Sequence, residues 1–283
     1  MPRSRILVGC SGWNYDHWRD GVFYPPRLPA RDWLRFYAER FHTVEVNASF
    51  YRLPRRDSVA RWVDSTPEEF VFSLKVSRYI THVKRLRETA KHISILLERI
   101  EPLLGSPKLG PLLWQLPGQF RRDDERLAAS LDAFPRGLRH AIEFRHESWF
   151  ADDVMSLLRA HGVALVIADG PNVRSFQRHE LTADFTYVRL HSGARGRRGN
   201  YSPAELREWA DRITAWSRHG DALVYLNNDW EGFAPANAAT LQLLSDPRSD
   251  ASMFGTPPSS GTENRRVRRA ERGIGAAGTW PGD

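Results

Sequence analysis

Along most of this chain, short apolar runs with polar residues at alternate positions take turns with stretches whose apolar residues recur every three or four positions. The first pattern has the period of a strand and the second that of a helix. The strand-like runs are Ile6–Cys10, Thr43–Ala48, Val71–Val76, Pro111–Leu116, His140–Phe144, Val163–Ala168, Phe185–Leu190 and Ala222–Leu226. Between the last two, Ser202-Pro203-Ala204-Glu205 has the form of a capping box with proline at the first helical position. Leu206, Trp209, Ile213 and Trp216 follow on one face, and Gly220 closes the segment. Val154, Leu157 and Leu158 form a second face stopped by Gly162. Ile93, Ile95, Leu96, Leu97 and Ile100 form a third that ends near Gly105. Pro171–Glu180 has no such face, so the sixth crossover is expected to be degenerate.

Strand followed by helix, eight times over about 250 residues, predicts an α/β fold of the (β/α)8, TIM-like barrel type. An open doubly wound sheet is the competing architecture, but no glycine-rich phosphate loop follows the first run. The barrel domain is assigned to residues 1–248. Residues 249–283 lose the periodic apolar positions and turn rich in Ser, Pro, Gly and Arg, which predicts a disordered basic tail.

Parity within the runs sorts the polar residues. Glu45, Asn47 and Ser49 oppose Val44, Val46 and Ala48; Ser73, Lys75 and Ser77 oppose Phe72, Leu74 and Val76. Glu143 and Arg145 oppose Ile142 and Phe144; Tyr187, Arg189 and His191 oppose Val188 and Leu190. Gln115 ends the fourth run, Asp169 follows the sixth in phase with Leu165 and Ile167, and Asn227, Asn228 and Asp229 follow the eighth. A closed barrel has no solvated inner face except at its mouths. Charged residues late in the strands therefore predict a pocket at the C-terminal mouth, where barrel enzymes carry their sites. Aromatic residues follow the same strand ends: Trp13, Tyr15 and Trp18, then Phe50 and Tyr51, then Trp149 and Trp230. They are expected to wall the pocket and stack on a ring.

Charge sharpens this only a little. Lys and Arg number 41 against 34 Asp and Glu, a formal +7, with five Arg against three acids in residues 251–283. That excess leaves nucleic acid open as a partner. A single cysteine, Cys10, excludes an internal disulfide and a cysteine-cluster zinc site. No run approaches the ~18 apolar residues of a membrane span, and the N-terminus has no secretory apolar segment. A cytoplasmic location and no membrane partner are therefore expected; the oligomeric state is left open.

Several motifs carry a resemblance. They are Gly9-Cys10-Ser11-Gly12-Trp13 with Phe23-Tyr24-Pro25, and Thr43-Val44-Glu45-Val46-Asn47-Ala48-Ser49-Phe50-Tyr51. Phe72-Ser73-Leu74-Lys75 with Thr81-His82, Leu113-Trp114-Gln115-Leu116-Pro117 and Ala141-Ile142-Glu143-Phe144-Arg145-His146 follow in order. Tyr187-Val188-Arg189-Leu190-His191 and Asn227-Asn228-Asp229 complete the set. On these the chain resembles the YecE-like family, also called domain of unknown function 72. The resemblance implies a (β/α)8 barrel but no settled activity, and a distant likeness to endonuclease IV and xylose isomerase barrels raises nucleic-acid binding by analogy. Cys10 stands where that family usually has Thr, which speaks for a small packing residue rather than a thiol nucleophile. Ser49, Ser192 and Leu226 also depart from the usual pattern.

The chemistry drawn from these residues is acid/base work beside an anion site. Glu45, Lys75, Glu143 and His191 are the candidate catalytic residues: carboxylate bases, a proton partner, and an amine that turns nucleophilic if its pKa is lowered. Ser11, Trp13, Asn47, Tyr51, His82, Gln115, Arg145, Asp169, Arg189, Asn227 and Asn228 are the candidate binding residues, with Arg145 and Arg189 as anion clamps. No cofactor is predicted. A divalent metal ranks low, because bases nearly balance acids on the inward parity and no ligand spacing such as His-x-x-x-His occurs. The favoured function is an enzyme for hydrolysis or isomerisation of a small anionic, ring-containing molecule. The alternative is a nucleic-acid-binding or phosphodiesterase barrel.

Overall fold

The computed structural model describes residues 4–170, 176–193 and 199–245. Eight parallel strands close into a barrel in chain order, with the last hydrogen-bonded back to the first. They are β1 (Ile6–Cys10), β2 (Thr43–Val46), β3 (Val71–Lys75), β4 (Leu109–Gln115), β5 (His140–Glu143), β6 (Ala164–Ala168), β7 (Phe185–Leu190) and β8 (Asp221–Leu226). Around them run α1 (Trp33–Ala38), α2 (Ala48–Tyr51), α3 (Arg56–Asp64), α4 (Thr89–Arg99) and α5 (Glu101–Leu104). The ring continues with α6 (Asp124–Asp132), α7 (Asp152–Ala160), α8 (Pro203–Trp216) and α9 (Phe233–Ser245). Between β6 and β7 the described residues hold no helix, and residues 171–175 of the crossover expected to be degenerate lie outside them. The tail expected over residues 249–283 lies outside the described residues.

Strand parity divides the core into two shells. Val44, Phe72, Leu74, Trp114, Ile142, Leu165, Ile167 and Val188 point outward into a shell shared with the helices. Leu7, Val71, Leu113, Ala141, Ala164, Val166, Phe185, Tyr187, Leu223 and Tyr225 fill the barrel. Each fully buried large apolar side chain contributes about 1.5–3 kcal/mol, so the outer shell supplies most of the stabilisation.

Helix ends follow the local code. Ser202 caps α8: its Oγ accepts from the Glu205 N–H, while Glu205 Oε2 accepts from the Ser202 N–H at 2.8 Å. On α4 the expected apolar face is narrower than the sequence pattern: Ile93 and Leu96 are buried, but Ile95 is 43% exposed. Ile95 sits about 100° around the helix from Leu96, which carries it off the stripe that meets the barrel. The expected second strand also stops early. Asn47 is already in the right-handed helical region, and Ala48–Tyr51 form one helical turn.

The seam between β1 and β2 is held by a side chain. These strands share one bridge, Cys10 with Val44. Beside it, the Tyr37 hydroxyl accepts from the Cys10 N–H at 2.8 Å and donates to the Thr43 carbonyl at 2.9 Å. Gly9 makes room for this, since a Cβ there would lie 2.1 Å from the Thr43 oxygen and 2.9 Å from the Tyr37 hydroxyl. Cys10 itself is a buried member of the outer shell, and burial pushes its thiol pKa up, which keeps it unreactive.

A substitution pair tests the seam. Gly9→Ala should lower stability by about 2–4 kcal/mol, because the clash is with backbone. Gly105→Ala, whose nearest new contact is 3.8 Å away, should stay within about 1 kcal/mol of wild type. Urea denaturation midpoints that fall equally would refute the account of Gly9.

Candidate active site

The inner parity brings charged and polar groups from five strands, β2, β3, β4, β5 and β7, to the C-terminal mouth. Arg189, on β7 and 1% exposed, lies between two carboxylates. Its Nε and Nη2 donate to Glu45 Oε2 and Oε1 at 2.9 and 2.8 Å, a fork from β7 to β2. Its Nη1 donates to Glu143 Oε2 on β5. Glu45 also accepts from the Ser11 and Tyr187 hydroxyls, each at 2.8 Å. Glu143 accepts from Gln115 Nε2 on both oxygens at 3.0 Å and from Arg145 Nε at 2.8 Å. Burial alone would raise the Glu143 pKa; Arg189 and Arg145 outweigh it and hold the carboxyl well below the usual range. Deeper in the barrel, the Tyr225 hydroxyl bonds Thr43 Oγ1 and Ser73 Oγ, each at 2.7 Å.

Lys75 differs from every group around it. It is 7% exposed, yet no hydrogen bond or ion pair joins its Nζ to another described residue. The Nζ instead lies 3.9 Å from the centre of the Phe50 ring. Burial first, then the Arg189 charge, brings its pKa down to about 7, against the pull of Glu143 and Glu45. Two carboxylates are already matched by two arginines, so a charged Lys75 is the unbalanced fifth group.

The two histidines beside it are neutral for the same reasons. Burial, then Lys75 and Arg145, push His82 down to about 4; it packs edge-on against Phe50, with ring centres 5.0 Å apart. Burial and Arg189 push His191 down to about 3. Asn227 Nδ2 lies 2.9 Å from His191 Nδ1, and an amide nitrogen can only donate. The ring proton therefore belongs on Nε2, which is buried without a partner among the described residues. Arg145 bonds Glu143 through Nε while its side chain stays 37% exposed, leaving the outer guanidinium nitrogens for another acceptor.

The remaining expected residues divide. Ser11 joins through Glu45, and Asn47 sits at the edge, its Nδ2 on the Ser11 carbonyl at 3.0 Å and its Oδ1 without a partner among the described residues. Asp169 does not enter the ion network. Its parity is that of Leu165 and Ile167, which face the helices, and its carboxylate accepts from the His191 N–H and the Tyr201 hydroxyl. Asn228 turns to Asn237 and the Gly199 carbonyl. Trp13 packs edge-on against Trp62 in a lateral groove of about 660 Å³ between α1 and α3. Tyr51 is 72% exposed at the rim. The aromatic that meets Lys75 is Phe50, placed there by the turn of α2 that strand parity does not anticipate. Tyr187 was legible as inward by parity, and Tyr225 lies in phase with Leu223; nothing in either residue type marked a role.

Among the described residues, no three His, Cys, Asp or Glu side chains stand together to hold a metal ion. No described helix is long and apolar enough to cross a membrane.

The family model described as "Protein of unknown function DUF72" matches residues 7–260. The chain belongs to the DUF72 family. The DUF72 relative YunF of Bacillus subtilis (strain 168), a UPF0759 protein, is 26% identical over 278 aligned positions, covering 85% of this chain and 95% of its own. UPF0759 protein YecE of Escherichia coli (strain K12) is 31% identical over 181 positions, 62% of each chain. A DUF72 crystal structure from Thermotoga maritima superposes with a TM-score of 0.74 at 28% identity, covering 84% of this chain and 98% of that one. A DUF72 structure from Enterococcus faecalis, at 24% identity, shares the fold with a TM-score of 0.70 over 86% of this chain and 98% of that one.

The network separates two arginines by consequence. Arg189→Met leaves Glu45 and Glu143 buried without their shared cation and should cost about 3–5 kcal/mol. Arg145→Ala leaves Glu143 with Arg189 and Gln115 and should cost about 1 kcal/mol or less. Equal losses in thermal melts would contradict this arrangement.

The lowered Lys75 pKa has a signed consequence. Between about 7 and the ordinary 10.5, the unfolded chain binds this proton and the folded one releases it. Stability from Lys75 therefore rises with pH through that window. The unfolding free energy of wild type minus that of Lys75→Met should climb from about pH 7 to about pH 10. A flat difference would show that Lys75 keeps an ordinary pKa.

Proposed function

We propose that this DUF72 chain is an enzyme for acid/base chemistry, specifically isomerisation, of a small anionic, ring-forming molecule at the C-terminal mouth of the barrel. The observation that carries the reading is Lys75: a buried amine without a hydrogen-bond partner among the described residues, half of it neutral near pH 7. A buried ammonium held only for structure would be paired. A neutral amine beside a cationic anchor is what proton transfer from a bound substrate requires. In this reading Arg145 holds the anion with its outer guanidinium nitrogens. His191 offers an Nε2–H to an oxygen on which charge develops. Phe50 and His82 form the wall against which the substrate lies.

This reading moves the chemistry away from the carboxylates. Glu45 and Glu143, expected as bases, each accept four hydrogen bonds and position Arg189 and Arg145 instead.

The test is proton exchange. A panel of aldose and ketose phosphates is incubated with the protein in D2O and followed by proton NMR. Wild type should wash deuterium into the carbon beside the carbonyl of at least one member. Lys75→Met should slow this by about 10²-fold or more. Arg145→Gln should mainly raise the concentration needed. No exchange on any member, or exchange indifferent to Lys75, would overturn the reading.

A further inference from the structure

The chain has four lysines, Lys75, Lys84, Lys91 and Lys108, and the structure sets one apart. Lys84 Nζ donates to Glu88 Oε2 at 2.8 Å. Lys91 Nζ lies 3.8 Å from Glu88 Oε1 with its side chain 72% exposed. Lys108 Nζ is held by the Val63 carbonyl at 2.6 Å, the Thr66 carbonyl at 2.7 Å and Thr66 Oγ1 at 3.3 Å. Three acceptors use all three hydrogens of an ammonium, so Lys108 has no lone pair to offer. Lys75 alone combines burial, no bonded acceptor and cationic neighbours.

From this placement we infer that Lys75 is a covalent catalyst: its Nζ adds to the carbonyl carbon of an anion-bearing aldehyde or ketone and forms an iminium. The inference rests on the proposed acid/base reading of the same mouth and deepens it by naming the substrate's reacting group.

Three features favour the bond. An amine flanked by Arg189 and Arg145 loses its proton near neutral pH and becomes nucleophilic. Arg145 beside it attracts a substrate with a carboxylate or phosphate. The apolar face of Phe50 under Nζ limits the water available to hydrolyse the adduct.

The step balances without an oxidant or reductant. The Nζ lone pair forms the C–N bond while the carbonyl π pair moves to oxygen. The proton that leaves nitrogen is taken up at that oxygen, giving a neutral carbinolamine, while neutral His191 offers its Nε2–H as a hydrogen bond and keeps its proton. A further proton lets the hydroxyl depart as water, and the nitrogen lone pair forms the C=N+ bond. One amine, one carbonyl and one proton become one iminium and one water. The iminium then withdraws electrons from the adjacent carbon, which makes its proton easier to remove.

The experiment is reductive trapping of the full-length protein at pH 7. Pyruvate is one probe and glyceraldehyde 3-phosphate the other, each with sodium cyanoborohydride, followed by peptide mass spectrometry. The two arms separate a carboxylate-bearing substrate from a phosphate-bearing one. The inference expects a reduced adduct on Lys75 with at least one probe, exceeding that on the exposed Lys84 or Lys91 by about 10²-fold or more. Arg145→Gln should lower labelling about tenfold at limiting probe. A labelled Lys75 would support the inference whichever anion it needs. Adducts confined to Lys84, Lys91 or the N-terminal amine, or no adducts, would overturn it. If deuterium exchange still depended on Lys75 in that case, the amine acts as a base, and the acid/base reading stands without the covalent step. If exchange failed as well, both fall together.

Discussion

Arg189 is the constraint on which the mouth of this barrel depends. Its guanidinium spans from Glu45 on β2 to Glu143 on β5 through the barrel interior, and all three groups are at most 2% exposed. A planar five-donor cation is the side chain able to serve two carboxylates at once in fixed geometry. Removing ions from water is costly, so such a group persists only when each lone pair and each proton is met. Ser11, Tyr187, Gln115 and Arg145 supply the remaining partners. The strands must therefore keep their register for the charges to remain paired.

The electrostatics of the site follow from that pairing. Two carboxylates satisfied by two arginines leave no negative charge over for a third cation. Lys75, His82 and His191 all stand in this environment, and all have their proton affinity lowered. The arrangement yields two neutral imidazoles and an amine that gives up its proton near pH 7, inside a wall of fixed charge. A barrel that carried an isolated carboxylate there would have the opposite character, with a high-pKa lysine locked in an ion pair.

Membership in DUF72 fixes the architecture and leaves the chemistry to the site, since one barrel fold supports many reactions through its mouth. Here the informative groups are those the fold leaves incomplete. Among the described residues they are the unpaired Lys75 amine, the outer nitrogens of Arg145 and the unpartnered His191 Nε2.

Local pattern was enough for the barrel itself. Alternation in eight runs and the Ser202 capping box each map onto an element. Parity also sent Glu45, Lys75, Glu143, Arg145 and Arg189 inward, because a closed sheet offers side chains only two directions. Parity failed where the chain left the strand: Phe50, not Tyr51, reached Lys75 because α2 begins at Ala48. Asp169 was in phase with outward residues and stayed outside the ion network. What the tertiary structure alone decided is which charges meet. Glu45 and Arg189 are 144 positions apart in sequence, and their pairing depends on barrel closure. So does the exclusion of Lys75 from any pair. That exclusion lowers the proton affinity of a residue type that usually decorates surfaces, because a pKa is a property of surroundings rather than of sequence.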